Sequence, residues 1–269
     1  MPIKYCLPEN RGEIKSMVKM MTLVDEKLNH FFLQLKPNEI EKTLFVISCS
    51  AYKSSKHEKT ERWVNITCKE DYSKFQEFTQ LRKNLLNFYS SIESEELAQE
   101  IYQGFKYQNP SRWRKAWKIN RELFSSGASR AIYRYTGKLY KELDYNVLQA
   151  LAEGTLNNVL IISAFHGPTL PKDWIPYYDL TMGDLWSDGL KLKIKWPLWV
   201  REYSGDAMRN FLRKFEMIYV MAGNEYKPTA SLIKEVAPNI KKYLEAPSFK
   251  SQSGKIWGKM LNQYLLSIL

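Results

Sequence analysis

Residues 43–53 read TLFVISCSAYK, an apolar run of strand length that gives way at once to small and polar residues. The run is rich in β-branched and aromatic side chains, the composition of a buried strand rather than of a helix. Two further stretches have the same form: Asn158 to Ala164 (NVLIISA) and Glu216 to Ala222 (EMIYVMA).

Between these runs lie helical patterns, over Tyr72 to Tyr89, Glu95 to Phe105 and Ser111 to Phe124. Strands joined by long helical crossovers predict an α/β (mixed α+β) fold with a central mixed or largely parallel sheet flanked by helices. Near the amino terminus, Ile14, Met17, Val18, Met21, Val24, Leu28, Phe31 and Leu35 recur at helical spacing, so residues 1–42 read as a helical segment with no assigned role. At the other end, Ser231 to Ala246 and Lys255 to Leu269 read as helices, with Pro238 kinking or interrupting the first. Lys53 to Arg62 (KSSKHEKTER) reads as an exposed loop. No repeat or linker divides the chain, and residues 1–269 are expected to form one domain.

The 269 residues are 44% hydrophobic, enough for a sizeable core, and 40 basic against 29 acidic side chains give a net charge of +11. Such a charge favours polyanionic partners, although generic basicity gives the same number. No stretch approaches the roughly 18 apolar residues of a membrane span, and the first residues lack a signal-peptide core, so a cytoplasmic protein away from membranes is expected. Cys6, Cys49 and Cys68 are odd in number with no CxxC pair, which predicts reduced thiols. Cys49, His57 and Cys68 have no metal-ligand spacing, and neither a metal nor a cofactor is expected. The motifs of the common hydrolases, NTPases, zinc proteases and dinucleotide enzymes are missing from the sequence.

In open α/β sheets ligands bind beyond the carboxyl ends of the strands. The segments there are Ser48 to Lys53, Ser163 to Asp184 and Ala222 to Lys227. Together they offer Lys53 and Lys227 for an anion, Tyr52, Tyr178 and Tyr226 for stacking, and Glu225 beside Asn224 as a carboxylate. Glu225 is a general base if buried and a solvated turn residue if not. His166 is either an acid–base group or a packed loop histidine. Lys53, Tyr178 and Glu225 are the catalytic candidates, with Ser48 and Cys49 beside them.

The strongest electrostatic feature runs from Phe105 to Lys141. Arg112, Arg114, Lys115, Lys118, Arg121, Arg130, Arg134 and Lys138 lie there, with Glu122 the one acid in the span. If Ser111 caps a helix, Trp113, Trp117 and Phe124 share one face and Arg114, Lys118 and Arg121 a neighbouring one, turned either to phosphates or merely to solvent.

AIYRYTGKLYKELDY, residues 131–145, carries Tyr135, Gly137 and Tyr140 at the spacing of the peroxide stress protein YaaA family, which it resembles. Residues 159–183 are similar to the same family through Ser163, Gly167, Pro171, Ile175, Tyr178, Leu180, Met182 and Gly183. LFVISCSAYK matches its first strand through Ser48 and Lys53, and AGNEYK its later loop through Ala222, Glu225, Tyr226 and Lys227. The resemblance implies a compact α/β domain with a basic cleft, binding to distorted or branched DNA, and a role in limiting peroxide damage by lowering free iron. The chain departs from the pattern at Leu170 and Asp179, where the family has arginines, which shifts the expected phosphate contacts toward the Arg112 to Arg134 stripe. Gly167-Pro168 likewise replaces the two spaced glycines of a helix-hairpin-helix turn.

Two functions follow as expectations. The first is DNA binding through the basic cleft, in oxidative stress or damage response. The second, which leaves open whether the chain is an enzyme, is action on a nucleobase, nucleoside or nucleotide in a pocket between the strand-end loops. A scaffold for an acidic protein partner is a plainer third.

Overall fold

The computed structural model describes residues 35, 37–67, 72–105 and 111–269. The chain divides into two compact units, residues 1–40 and 41–269. Of the first, Leu35 and the helical turn Pro37–Ile40 are described. The rest of the amino-terminal helix expected from the sequence lies outside the described residues, as does Cys68.

In the second unit, β1 (Thr43–Ser48) leads through β2 (Lys59–Arg62) and the one-turn helix α1 (Trp63–Ile66) to α2 (Thr79–Ser90), α3 (Glu95–Ile101) and α4 (Arg112–Arg121). Then come β3 (Gly127–Arg130), α5 (Ala131–Arg134), α6 (Tyr145–Glu153), β4 (Val159–Ser163), β5 (Gly167–Thr169) and β6 (Trp174–Pro176). The chain finishes with α7 (Leu192–Tyr203), α8 (Asp206–Leu212), β7 (Met217–Met221), α9 (Lys227–Val236), β8 (Lys242–Glu245) and α10 (Ser253–Leu266).

The three apolar runs are the three central strands. Sheet order is β5-β4-β1-β7-β8, with β4, β1, β7 and β8 parallel and β5 antiparallel at one edge. Every residue of Thr43 to Ile47 is buried, so both faces of β1 are covered, which is why the run shows no alternation of polar and apolar residues. On one face Tyr264 of α10 stacks on Phe45 with ring centroids 5.5 Å apart. A second sheet is antiparallel, with the order β2-β3-β6.

The chain crosses from β1 to β4 on one side and later returns to β7 on the other. Strand order therefore reverses at β1, and the crevice at its carboxyl end is the topological position for a ligand in a doubly wound sheet.

Several element boundaries correct the sequence reading. Residues 231–246 are not one helix: α9 stops at Val236, two residues before Pro238, and Lys242–Glu245 pairs in parallel with β7 as an edge strand. The helix expected over Ser111 to Phe124 ends at Arg121, Ser111 makes no side-chain cap bond, and Phe124 is half exposed in the 3-10 turn beyond. The helix begun at Glu95 ends at Ile101. The last part of the Lys53 to Arg62 loop is β2.

Candidate functional site

Beyond β1 the backbone must turn sharply, and three small or hydroxylated residues allow it. The Tyr52 backbone N–H donates to Ser50 Oγ at 3.0 Å, closing the turn locally. Gly137 lies against this turn so closely that a Cβ there would stand 2.2 Å from Ser50 Oγ. The following residues are tied down by the chain around α5: Thr136 N–H donates to the Tyr52 carbonyl and Ser54 N–H to the Arg134 carbonyl, at 3.0 and 2.8 Å. Lys53 and Tyr135 face each other in an antiparallel bridge. Arg134 is fully buried, and its guanidinium donates to the Ser54 and Lys56 carbonyls. Its place in the sequence stripe is thus misleading: it holds the β1 loop and does not reach solvent.

The loop delivers Cys49 and Lys53 to a cluster of phenols. Tyr178 donates or accepts at 2.7 Å with Ser163 Oγ, at the end of β4, and at 2.9 Å with Tyr135. Tyr140 donates to the Ser48 carbonyl at 2.8 Å, and Cys49 Sγ lies 3.4 Å from the Tyr226 hydroxyl. Burial pushes the Tyr135, Tyr140, Tyr178 and Tyr226 phenols well above their ordinary value, so they act as protonated hydrogen-bonding groups and not as bases. The Lys53 ammonium sits 4.4 Å from the centre of the Tyr178 ring, is buried, and has no hydrogen-bond partner among the described residues. Burial, above all, pushes its pKa down, against the opposing pull of Cys49 and Asp179.

A cavity of about 170 Å³ opens beside this amine, lined by Ala51, Tyr52, Lys53, Arg112, Lys115, Tyr177, Tyr178 and Asp179. The carboxylate among its described lining residues, Asp179, pairs through Oδ2 with Arg112, and Asn120 at the end of α4 clamps the Asp179 backbone, accepting from its N–H and donating to its carbonyl, both at 2.8 Å. A second cavity of about 230 Å³, reaching from Ser48 and Cys49 to Tyr140 and Trp257, shares Ala51 and Tyr52 with the first. Tyr52 is 73% exposed between them.

A family model described as peroxide stress protein YaaA matches residues 43–261, from the first residue of β1 into α10. The chain belongs to the peroxide stress protein YaaA family. Membership supports a role in oxidative stress. No curated protein matches the chain.

Of the positions that carried the YaaA likeness, Ser48, Lys53, Tyr135, Gly137, Tyr140, Ser163 and Tyr178 converge around β1. Others are packing residues. His166 is fully buried, its Nδ1 is 3.1 Å from Thr169 Oγ1, its ring is flanked by Trp63 and Tyr72, and burial holds its pKa well below 6.5. It is a core histidine with no access to the cavity. Gly167 and Gly183 are required by close approach, to the Trp196 ring and to the Gly104 backbone. Asn224 and Glu225 are exposed and line a different groove with Lys193, Ile194, Pro197 and Pro228, so Glu225 does not join Lys53 and Tyr178. Lys227 is spent on Glu245 at 2.6 Å.

The basic stripe divides in the same way. Lys115, Lys118 and Arg121 are exposed along α4, with Arg121 over the Trp117 ring. Arg114 pairs with Glu95 at the surface, Arg130 meets Glu58 and the Trp174 ring, and Lys138 donates to the Ser251 carbonyl at 3.0 Å. Leu170, one of the departures from the YaaA pattern, is buried, while Asp179, the other, anchors Arg112 at the cavity. Sequence reading did not single out Asn120 and Tyr177. Asn120 looks like an ordinary polar residue in a helix, and its partner is 59 positions away.

Proposed function

We propose that the chain is a nucleic-acid-binding protein of the peroxide-stress response, which holds DNA across the mouth of the cavity between the β1 loop and α4. The observation that carries this reading is the joining, in one cavity wall, of Lys115 with the exposed ring of Tyr52 and the half-exposed ring of Tyr177, beside Lys53 and the Arg112–Asp179 pair. Lys118 and Arg121 extend the cationic surface along the same helix.

Lysines and arginines that neutralise phosphates release condensed counterions, and this gives affinity without sequence preference. An exposed tyrosine adds stacking on any unpaired base. A surface with both features favours DNA in which bases are unstacked, at a branch, a bulge or a single-stranded stretch. Arg114 contributes little here, because it already spends its charge on Glu95 at an exposed site.

The test is the variant Lys115→Ala/Lys118→Ala/Arg121→Ala. It is expected to bind DNA more weakly and to flatten the dependence of log K on log salt by about one unit per cation removed. Tyr52→Ala is expected to weaken single-stranded and branched DNA more than duplex. Unchanged affinity and salt slope in the triple variant would remove α4 from the interface.

A further inference from the structure

Lys53 is an unusual lysine. Its ammonium nitrogen is buried, it makes no hydrogen bond among the described residues, and the face of the Tyr178 ring at 4.4 Å stands where water would. A buried ammonium normally pairs with a carboxylate, yet the carboxylate of this cavity, Asp179, pairs through Oδ2 with Arg112, while Asn120 fixes its backbone. Among the described residues no hydrogen-bond acceptor takes the amine. The loop that carries it is pinned from both sides by Arg134 and the Lys53–Tyr135 bridge, so the placement is built into the structure.

An amine kept from water and without a hydrogen-bonded partner spends more of its time neutral, and a neutral lysine is a nucleophile toward carbonyl carbon. The cavity limits which carbonyl. At about 170 Å³ it is well below the roughly 300 Å³ at which drug-sized pockets begin, so it takes a fragment the size of one sugar rather than a whole nucleotide. Lys115 lines the same cavity beside the Arg112–Asp179 pair, a cation where a phosphate flanking such a sugar would lie. A deoxyribose that has lost its base fits all three demands. It is small, it lies between two phosphates, and its ring-opened form carries an aldehyde at C1′.

We propose that Lys53 captures abasic sites in DNA by forming a Schiff base with that aldehyde. The Nζ lone pair adds to C1′, the carbonyl oxygen takes up the proton that the nitrogen gives up, and the resulting carbinolamine loses one water to leave a C=N bond. No electron is transferred to an outside acceptor, and hydrolysis reverses the step. This rests on the reading that nucleic acid binds over the cavity.

The experiment uses the full chain with two probes, an oligonucleotide bearing one abasic site and 2-deoxyribose 5-phosphate, each with sodium borohydride to reduce the C=N bond to a stable amine. Binding of undamaged DNA is measured alongside. The expected result is a covalent adduct on denaturing gels that peptide mapping places on Lys53. In Lys53→Arg, which forms no imine, the adduct falls to background. Mapping of the unmodified chain decides the matter even if the variant folds poorly. An adduct at Lys53 with the sugar phosphate, without retention of DNA, upholds the amine site and removes the nucleic-acid reading. No adduct with either probe, adducts scattered over surface lysines, or an undiminished yield in Lys53→Arg overturns the proposal.

Discussion

At Gly167 the backbone sits at φ 69°, and a Cβ there would stand 2.1 Å from the Trp196 ring. Left-handed backbone costs a non-glycine residue about 1–2 kcal/mol, and forcing an atom into a packed ring costs about as much again or more. Gly167→Ala is therefore expected to lower unfolding free energy by roughly 3 kcal/mol, read from the denaturant midpoint. Asp184 makes a different kind of prediction. It is fully buried and accepts from the Gly104 and Thr181 backbone N–H groups, but burial outweighs these bonds, Asp179 adds its charge in the same direction, and the pKa is pushed up to about 7 from 3.8. The folded protein thus keeps a proton that the unfolded chain has lost. The stabilisation this brings is complete below pH 3.8 and disappears as pH rises through about 7, a change of up to roughly 4 kcal/mol. The difference in stability between the unmodified chain and Asp184→Asn should shift in that direction across the window; a difference independent of pH would contradict the assignment. Neither residue's role was legible. Gly167 was noticed as part of a motif, but the ring that requires it is 29 positions away, and nothing near Asp184 in sequence shows that it will be buried.

Among the elements, the strands were the most legible, because β1, β4 and β7 are buried on both faces and leave unbroken apolar runs that only a covered sheet explains. The edge strand β8 was not. Lys242-Tyr243-Leu244-Glu245 is half exposed and as compatible with a helix as with a strand, and pairing with β7 decides between them. The basic stripe was legible as charge but not as geometry. Arg134 and Lys118 look alike in sequence, yet one is a buried tie and the other an exposed cation. Arg134→Met is expected to cost roughly 2–4 kcal/mol, because it removes charge-assisted hydrogen bonds to the Ser54 and Lys56 carbonyls, of which the Lys56 carbonyl keeps Ser129 Oγ as a donor. Freed from the tie, the β1 loop should open more often, so amide exchange is expected to speed up at Ser54 and Thr136, the two N–H groups that hold it to the α5 segment. Unchanged exchange at both would mean that the loop is held by its backbone bridges alone.

The chain carries a net charge of +11, and in its second unit the reversal of strand order at β1 creates a crevice lined by Arg112 and Lys115 of α4. Membership of the peroxide stress protein YaaA family supports a role in oxidative stress, and DNA binding is the reading that the arrangement of cations and exposed tyrosines favours. The measurement that tests it most directly is binding of the purified chain to labelled single-stranded, duplex and four-way-junction DNA across a salt series. Binding should be tight at low salt, fall linearly in log K against log salt, and favour the single-stranded and branched forms over duplex. Failure to retain any of the three at low salt, or an affinity indifferent to salt, would contradict the account.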